Sequence, residues 1–529
     1  MEGFASSFRS RDNVKVLVAG LLVAAVAVYL LKKISDEVVK WRAWSQLPAP
    51  KDKAHPLLGN FKEWSKPGKH LTALRWTADV PIVRVRLLHY PVLIVGDPVL
   101  AETLFQVGEG SAVDKSQRVY GNIPAKSKNY HPTLFTSPTN SYWRLSFANL
   151  IRVTEHMVDH VHSLGPDQKF DADEIASRVT IDSINFSMLG KDLGATKSAG
   201  KGHVPYIEAL DGYLEALMFF VSMPIRRKLT FLPAVKKHHA AVARYATFNQ
   251  ALRLDIQTNP PPPTSIGAHL LKIKDPKTNA PLSDDQLQGE LTSLYMAGFE
   301  TSAHTIAWTL YLLSQNPEVE QKIAEELAGQ DLLATADNPR PRSLTWDDMG
   351  QMTYLKAVIK ESMRMLPVNA IGTVRQTDRA IQLGEYKIPK GLNVWVSSYA
   401  AHNNPKYWDE PEVFKPERFL QPGAENVPEP KYPEATANGH LPNGTAKTGS
   451  GTKAKRFFPF SQGMRNCVGK NLGELTVQAF MAVFCSHFTV QLAPEMGGVE
   501  GVRERQEIML TLRPHGGMWV HAIPRAPRT

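Results

Sequence analysis

The fold of this chain is decided by Phe460-Ser461-Gln462-Gly463-Met464-Arg465-Asn466-Cys467-Val468-Gly469. A cysteine thiolate that binds a metal ion needs backbone N–H groups aimed at its sulfur, which tune its electron donation. Gly463 and Gly469 permit the tight turn and the close backbone approach that a flat cofactor requires. The helical run 470–480 follows at once, and a helix N-terminus favours negative charge. The spacing therefore predicts that Cys467 is a metal ligand.

The neighbours of Cys467 fit the same interpretation. Arg465 offers a fixed positive charge to a cofactor carboxylate, and Phe460 can pack beside the sulfur and exclude water. The alternative is an inert buried cysteine in a glycine-rich loop, the usual situation of a lone cysteine. A pattern of five fixed residues at this spacing is expected to occur by chance only about 10⁻⁵ times in a chain of this composition. This low frequency favours the interpretation of Cys467 as a metal ligand. The second cysteine, Cys485, lies in an apolar helical run and is predicted to pack in the core.

The pattern Phe-x-x-Gly-x-Arg-x-Cys-x-Gly resembles the haem-thiolate signature of the cytochrome P-450 superfamily, in its membrane-anchored eukaryotic type. The resemblance implies a mainly α fold with smaller β-sheets (α+β). In that fold haem b, iron protoporphyrin IX, lies between a long distal helix and the cysteine loop. Cys467 is then the axial ligand of the haem iron, with Phe460, Gly463, Arg465 and Gly469 around the cofactor. In motif order and spacing the resemblance covers residues 48–529.

Two arginines and a glutamate are predicted to form a structural triad. Glu361 and Arg364 are three residues apart and share one helix face, a spacing that alone is typical of weak surface pairs. Downstream, Pro416-Glu417-Arg418-Phe419 supplies a second arginine. By resemblance to the family, Glu361, Arg364 and Arg418 form a buried triad behind the haem loop.

An acid and an alcohol are the candidate catalytic residues. They lie in Ala297-Gly298-Phe299-Glu300-Thr301-Ser302, within the helical run 285–314. The family has the same pattern on the distal side of the haem, where the pair opens the helix and delivers protons during oxygen activation. The resemblance assigns this role to Glu300 and Thr301. The alternative is a polar pair that bonds the carbonyls of its own helix.

Two further residues are candidates for contact with the haem propionates. The segment Val374-Arg375-Gln376-Thr377-Asp378 resembles the family's β-segment, whose arginine contacts a propionate, so Arg375 is the candidate. Trp143-Arg144 resembles the family's Trp-Arg helix, in which a second arginine follows four residues after the tryptophan. This chain has Phe147 there. Trp143 is therefore a candidate propionate donor, and the role of Arg144 stays open.

The N-terminus carries a candidate membrane anchor. Residues 16–31 are sixteen uninterrupted apolar residues. With its flanks the helix would span roughly 27 Å, close to a thin endoplasmic-reticulum bilayer. Five basic residues at 32–51 against three before the run place the body in the cytosol. We expect a single-pass protein of the endoplasmic reticulum membrane, in contact with lipid; the alternatives are a plastid membrane, a cleaved signal peptide and a transit peptide.

The chain divides into three predicted regions, which are an anchor with its flanks (1–33), a basic, proline-rich hinge (34–60) and a single catalytic domain (61–529). Residues 421–455 contain almost no large apolar side chains, which predicts a mobile, low-complexity surface insertion. The alternation over Val83–Val95 predicts a β-hairpin. Leu217–Pro224 are predicted to be a core helix, with a second membrane contact as the alternative.

Composition limits the classes of function. With 43% hydrophobic and 21% charged residues the chain is globular, and two cysteines exclude a disulfide scaffold and a cysteine-based zinc or iron–sulfur site. A net charge of +10 suits an anionic membrane face or an acidic partner protein. The sequence has no basic-aromatic platform, so no nucleic-acid partner is expected.

The resemblance implies a monooxygenase that inserts one oxygen atom from O2 into a lipophilic small molecule. Only 60 residues follow Gly469, too few for a flavin or nicotinamide domain, so a separate NADPH–cytochrome reductase is the expected electron donor. One alternative is a haem-thiolate isomerase or dehydratase that acts on a peroxide without O2. Another is a non-catalytic haem-binding membrane protein. The intact Glu300-Thr301 pair argues against both.

Overall fold

The structure is a computed structural model that describes residues 28, 32, 35, 37–66, 68–88, 90–105, 113–115, 140–202, 204–222, 224–275, 278–427, 454–463 and 466–526. Apart from positions 28 and 32, the predicted anchor over residues 1–33 lies outside these ranges. Across the described residues, no helix combines the length and the apolar character that crossing a bilayer requires. Residues 37–45, within the predicted hinge, are helical.

Helices make up most of the described chain. Their starts follow from local chemistry: Ser283 and Gln286 form a capping box, and the Asp171 side chain accepts a hydrogen bond from the N–H of Asp173. The α-helices are α1 (Phe61–Trp64), α2 (Lys69–Thr77), α3 (Pro98–Phe105), α4 (Asn140–Leu164), α5 (Ala172–Leu189), α6 (Pro205–Ser222), α7 (Pro233–Thr258), α8 (Ile266–Lys272), α9 (Asp284–Ser314), α10 (Pro317–Ala328), α11 (Asp348–Gln351), α12 (Thr353–Met365), α13 (Ser398–Asn403), α14 (Lys470–His487) and α15 (Gly498–Glu504).

Within the described residues, four small sheets accompany the helices. The strands are β1 (Ile82–Leu87), β2 (Tyr90–Val95), β3 (Val113–Lys115), β4 (Lys169–Asp171), β5 (Thr373–Thr377), β6 (Ile381–Leu383), β7 (Tyr386–Ile388), β8 (Asn393–Val396), β9 (Phe488–Leu492), β10 (Gln506–Ile508), β11 (Leu512–Pro514) and β12 (Trp519–Pro524). The largest sheet has the order β1-β2-β8-β5-β3, and β4-β12-β9 form a second. The pairs β10-β11 and β6-β7 are two-stranded. The predicted hairpin is confirmed, since β1 and β2 pair antiparallel from Ile82–Val95 to Leu87–Tyr90.

The core surrounds α9, which packs against α5, α12 and α14. Its last three turns are apolar on nearly every side, and Trp308 is fully buried there. Helix α6 is also a core helix, as predicted, because Leu217 and Phe220 are buried. The chain that follows exposes Ile225 and Phe231.

The predicted insertion begins and ends at one closed stem. The Val427 N–H donates to the carbonyl oxygen of Ala454 at 2.7 Å, and the Arg456 N–H donates to that of Glu425 at 2.8 Å. Residues 425–427 and 454–455, within the predicted limits 421–455, belong to this stem. The interior, 428–453, lies outside the described residues.

Candidate active site

Cys467 lies on an irregular loop that leads directly into α14. Its N–H donates to the carbonyl oxygen of Phe460 at 2.8 Å, which closes the loop, and its side chain is exposed. Gly463 has a φ of +72°, a backbone conformation that favours glycine. Gly469 has a φ of −83°, which other residues also adopt, so the close approach of its backbone to the cofactor stays a prediction. Arg465 lies outside the described residues.

Helix α9 presents one open face towards the cysteine loop. Between residues 294 and 313 every residue is buried except Ala297, Gly298 and Thr301. Gly473 in α14 lies close to both α9 and the cysteine loop. A Cβ added to it would lie 3.7 Å from the Ser302 hydroxyl of α9 and 3.9 Å from the Phe460 ring of the loop. The thiol and the Thr301 face therefore border one region between α9 and the start of α14.

Glu300 and Thr301 lie on different faces of α9, since consecutive helical residues point about 100° apart. The Thr301 hydroxyl donates to the carbonyl oxygen of Ala297 at 2.8 Å, as in the alternative interpretation of the pair. The helix runs unbroken from Asp284 to Ser314, so the predicted opening of the helix is not found. Glu300 is only 4% exposed, and among the described residues its Oε2 has no hydrogen-bond partner.

Arg375 lies on β5, fully buried, on the other flank of the cysteine loop. The strand is joined to that loop by the hydroxyls of Thr373 and Ser461, 3.1 Å apart. The site fits an iron porphyrin with carboxylate side chains. It offers an exposed thiol beside a helix N-terminus, a buried guanidinium on the adjoining strand and an open helix face.

The Trp143 region is only partly described. Trp143 belongs to α4, but its side chain lies outside the described part of the structure. Arg144 is exposed, with its guanidinium 4.0 Å from the Asp347 carboxylate. Phe147, which stands where the family has a second arginine, is buried and packs edge-on against Trp346 at 5.6 Å between ring centroids.

A family model described as cytochrome P450 matches residues 48–519. The chain belongs to the cytochrome P450 family. It is 30% identical to human cytochrome P450 4V2 over 253 residues, an alignment that covers 47% of the chain and 41% of that relative. It is 31% identical to rabbit (Oryctolagus cuniculus) mitochondrial sterol 26-hydroxylase over 225 residues, covering 42% and 37%. It is 25% identical to flavonoid 3'-monooxygenase of Arabidopsis thaliana over 538 residues, covering 96% of each.

Membership confirms the predicted family and the α+β fold. It also confirms the cofactor, because cytochromes P450 bind haem b through a cysteine thiolate. The chain spans about two fifths of the length of the first relatives, 41% for cytochrome P450 4V2.

The predicted triad of this cytochrome P450 is assembled around Glu361. Arg364 donates to both of its carboxylate oxygens, at 2.8 and 2.9 Å, and Arg418 Nε donates to one of them at 3.0 Å. The side chains of Glu361 and Arg364 are fully buried and Arg418 is 12% exposed. The Lys415 N–H adds a fourth hydrogen bond at 3.0 Å. The triad therefore joins α12 to the chain that precedes the insertion.

His402 is a structural residue of the site that the sequence did not reveal. It is fully buried in α13, and its Nε2 accepts a hydrogen bond from the Phe458 N–H at 3.0 Å. Burial, and then the nearby charge of Arg364, lower the pKa of His402 to about 3, so the ring remains a neutral acceptor. It thereby fixes the segment that enters the cysteine loop. A lone histidine has no sequence pattern that could have indicated this.

Proposed function

We propose that this cytochrome P450 is a haem-thiolate monooxygenase that inserts one oxygen atom from O2 into a lipophilic small molecule. The observation that carries the proposal is the exposed thiol of Cys467 on a loop beside the open face of α9, where Thr301 lies. A haem b bound there supplies the oxygen chemistry, and a thiolate ligand favours cleavage of the O–O bond.

The chain's own residues would hold the cofactor and exclude water. Cys467 would hold the haem iron through its thiolate at the N-terminal end of α14, where the helix dipole favours the negative charge of the sulfur. Arg375, buried on β5, provides a charge partner for a propionate, and Arg465 and Trp143 are proposed as the other donors. Phe460 covers the loop beside the sulfur.

Thr301 and Glu300 are the proposed proton-transfer residues. The Thr301 hydroxyl faces the open side of α9 and donates to the Ala297 carbonyl, a bond that it can exchange for one to a ligand or a water molecule. Glu300 is buried one residue earlier, with an oxygen that no other described group satisfies. Two neighbouring residues thus offer a hydroxyl towards the reaction space and a carboxylate behind it.

Electrons would come from a separate NADPH–cytochrome reductase. Lys360, Lys455 and Lys470 lie within electrostatic reach of Glu425, close to the cysteine loop, and suit an acidic docking surface. Reversing one of these charges, as in Lys470→Glu, should raise the KM for the reductase, more strongly at low than at high salt. A KM unchanged at every salt concentration would place the docking surface elsewhere.

We infer that the protein is held at the endoplasmic reticulum membrane by residues 16–31, with its catalytic body in the cytosol. The exposed apolar side chains of Ile225 and Phe231, beside the basic Arg226-Arg227-Lys228, offer a second contact with lipid. Protease treatment of intact microsomes should degrade a tag at the C-terminus. Protection of the tag would contradict this orientation.

The deciding experiment is the difference spectrum of the reduced, CO-bound protein in isolated membranes. The wild type should show the strongly red-shifted Soret band of a thiolate-bound haem, and Cys467→Ala should lose it. Cys485→Ala is the matched control, because Cys485 is fully buried and burial raises the pKa of its thiol to about 12. Retention of the band in Cys467→Ala would refute the ligand. Product formation that needs O2, NADPH and reductase would then separate the monooxygenase from a peroxide isomerase.

A further inference from the structure

A cavity of about 360 Å³ lies beside α9 on the face that carries Glu300. Its floor consists of the buried side chains of Phe299, Glu300 and His304. Its rim includes Glu174 and Glu208, both exposed. The almost completely buried Glu300 thus borders a cavity whose rim is open to solvent.

The positively charged residues of the cavity already have partners. Arg178 in α5 pairs with Glu174 and donates to the Ala195 carbonyl at 2.8 Å. Arg513 in β11 donates to Glu507 at 3.0 Å, and the ring of His515 lies 3.2 Å from the same carboxylate. Neither guanidinium is bonded to the carboxylates at the floor.

The carboxylates near the floor have fewer hydrogen-bond partners than these positively charged residues have. Among the described residues, Asp173 Oδ1 and Glu300 Oε2 are buried without hydrogen-bond partners. The Nε2 of His304 is 3.5 Å from the Asp173 carboxylate, and its Nδ1 is 2.9 Å from the Thr511 hydroxyl. Asp171, at the start of α5, accepts from the Met518 N–H at 2.8 Å.

Asp211 stands between the rim and the floor. It lies in α6 and lines the cavity, and its side chain remains partly exposed to solvent. Burial in this recess, followed by the charges of Glu300 and Asp173, raises the pKa of Asp211 to about 7, although Arg513 and His304 oppose the shift. An ordinary surface aspartate, with a pKa near 4, would hold almost no protons at neutral pH.

We propose that Asp211 is the outer proton carrier of this enzyme, which takes protons from solvent in the cavity and passes them to Glu300. In the transfer, the O–H bond of the Asp211 carboxyl breaks and an O–H bond forms on the Glu300 carboxylate, through cavity water. The Asp211 carboxylate then takes a proton from solvent. The inference rests on the proposed function, since it adds the step before the Glu300–Thr301 pair. A group that carries protons works best when it titrates near the working pH.

Infrared difference spectroscopy of the haem-loaded, full-length protein between pH 5 and 9 tests the titration without turnover. Burial also raises the pKa of Glu320 to about 7 and that of Asp171 to about 6, so the informative quantity is the wild-type spectrum minus that of a variant. Subtracting Asp211→Asn should leave a protonated-carboxyl band with a midpoint near 7, in accord with the pKa of Asp211. Subtracting Glu215→Gln, which changes an exposed glutamate one turn further along α6, should leave none. If subtraction of Asp211→Asn also leaves none, the proposal is overturned.

Turnover then tests the transfer itself. In the wild type kcat should fall as pH rises through about 7, because the carrier loses its proton. Asp211→Asn should lower kcat by about tenfold or more, remove this inflection and enlarge the effect of D2O on kcat. Asp211→Glu should restore most of the rate, and all variants must keep the thiolate CO band.

An unchanged pH profile and D2O effect in Asp211→Asn would overturn the carrier role even if the band titrates. A wild type that binds haem but makes no product with NADPH and reductase would instead refute the proposed function. The two failures are thus distinguishable.

Discussion

Replacing Glu361 by glutamine should destabilise the protein far more than the loss of an ordinary ion pair. The carboxylate accepts three hydrogen bonds from Arg364 and Arg418 and one from the Lys415 N–H, all of 2.8–3.0 Å. Glutamine keeps the shape but removes the negative charge and points an NH2 group at a guanidinium. The positive charges of Arg364, which is fully buried, and Arg418, which is 12% exposed, would then have neither the carboxylate nor much solvent around them.

Removing one partner from a buried charge cluster costs about 3–5 kcal/mol. That is a large part of the roughly 5–15 kcal/mol by which folded proteins are stable. The matched control is Lys360→Gln, one residue earlier in α12, because Lys360 pairs with Glu425 at 2.8 Å with both side chains more than one-third exposed. Solvent screens such a pair, so its loss should cost at most about 1 kcal/mol.

Urea unfolding of both variants, followed by far-UV circular dichroism, measures the difference. The CO spectrum after mild heating provides a second measurement, since the triad supports the chain that leads into the cysteine loop. A cost for Glu361→Gln that is no larger than that for Lys360→Gln would refute the reasoning. The triad would then make no net contribution to the free energy of unfolding.

Three further predictions concern the site. Thr301→Ala should send more of the electrons from NADPH to hydrogen peroxide and lower the product formed per NADPH by about tenfold. Thr301→Ser should stay near the wild type. Equal product per NADPH in Thr301→Ala and the wild type would exclude the relay role. Gly372→Ala should cost about 3 kcal/mol, because φ is +81° and the added Cβ would overlap a carbonyl oxygen of β8. Gly391→Ala, also at +81° but with open space, should cost about 1 kcal/mol, and equal thermal shifts would contradict the steric argument. His402→Phe should leave the Phe458 N–H unsatisfied and cost about 1–3 kcal/mol, with faster loss of the thiolate band.

Local features of the site were predictable from the sequence. Cys467 and the helix after it are adjacent in the chain, and Glu361 and Arg364 lie within one turn of α12, so spacing alone brings them together. The position of Arg418 beside Glu361 required the family resemblance, because 57 residues separate the two.

Other features depend on contacts that no local pattern encodes. The cavity beside α9 combines the starts of α5 and α6 with β11, which are far apart in sequence. Asp211 therefore looks like any surface aspartate until those segments are placed. The Thr301 hydroxyl likewise bonds to the carbonyl oxygen of Ala297 within α9, a choice of partner that the acid–alcohol pattern alone did not indicate.

The hydrogen bond between Val427 and Ala454 fixes the two ends of the intervening chain next to each other. Because loop-closure entropy grows slowly with length, each doubling of the chain between these ends adds only about 0.6 kcal/mol of closure cost. Evolution can therefore enlarge or trim this segment without re-optimising the haem loop that follows. For the same reason an experimenter can insert a fluorescent or affinity tag between the two ends. An unaltered thiolate spectrum would show that the inserted tag does not disturb the fold.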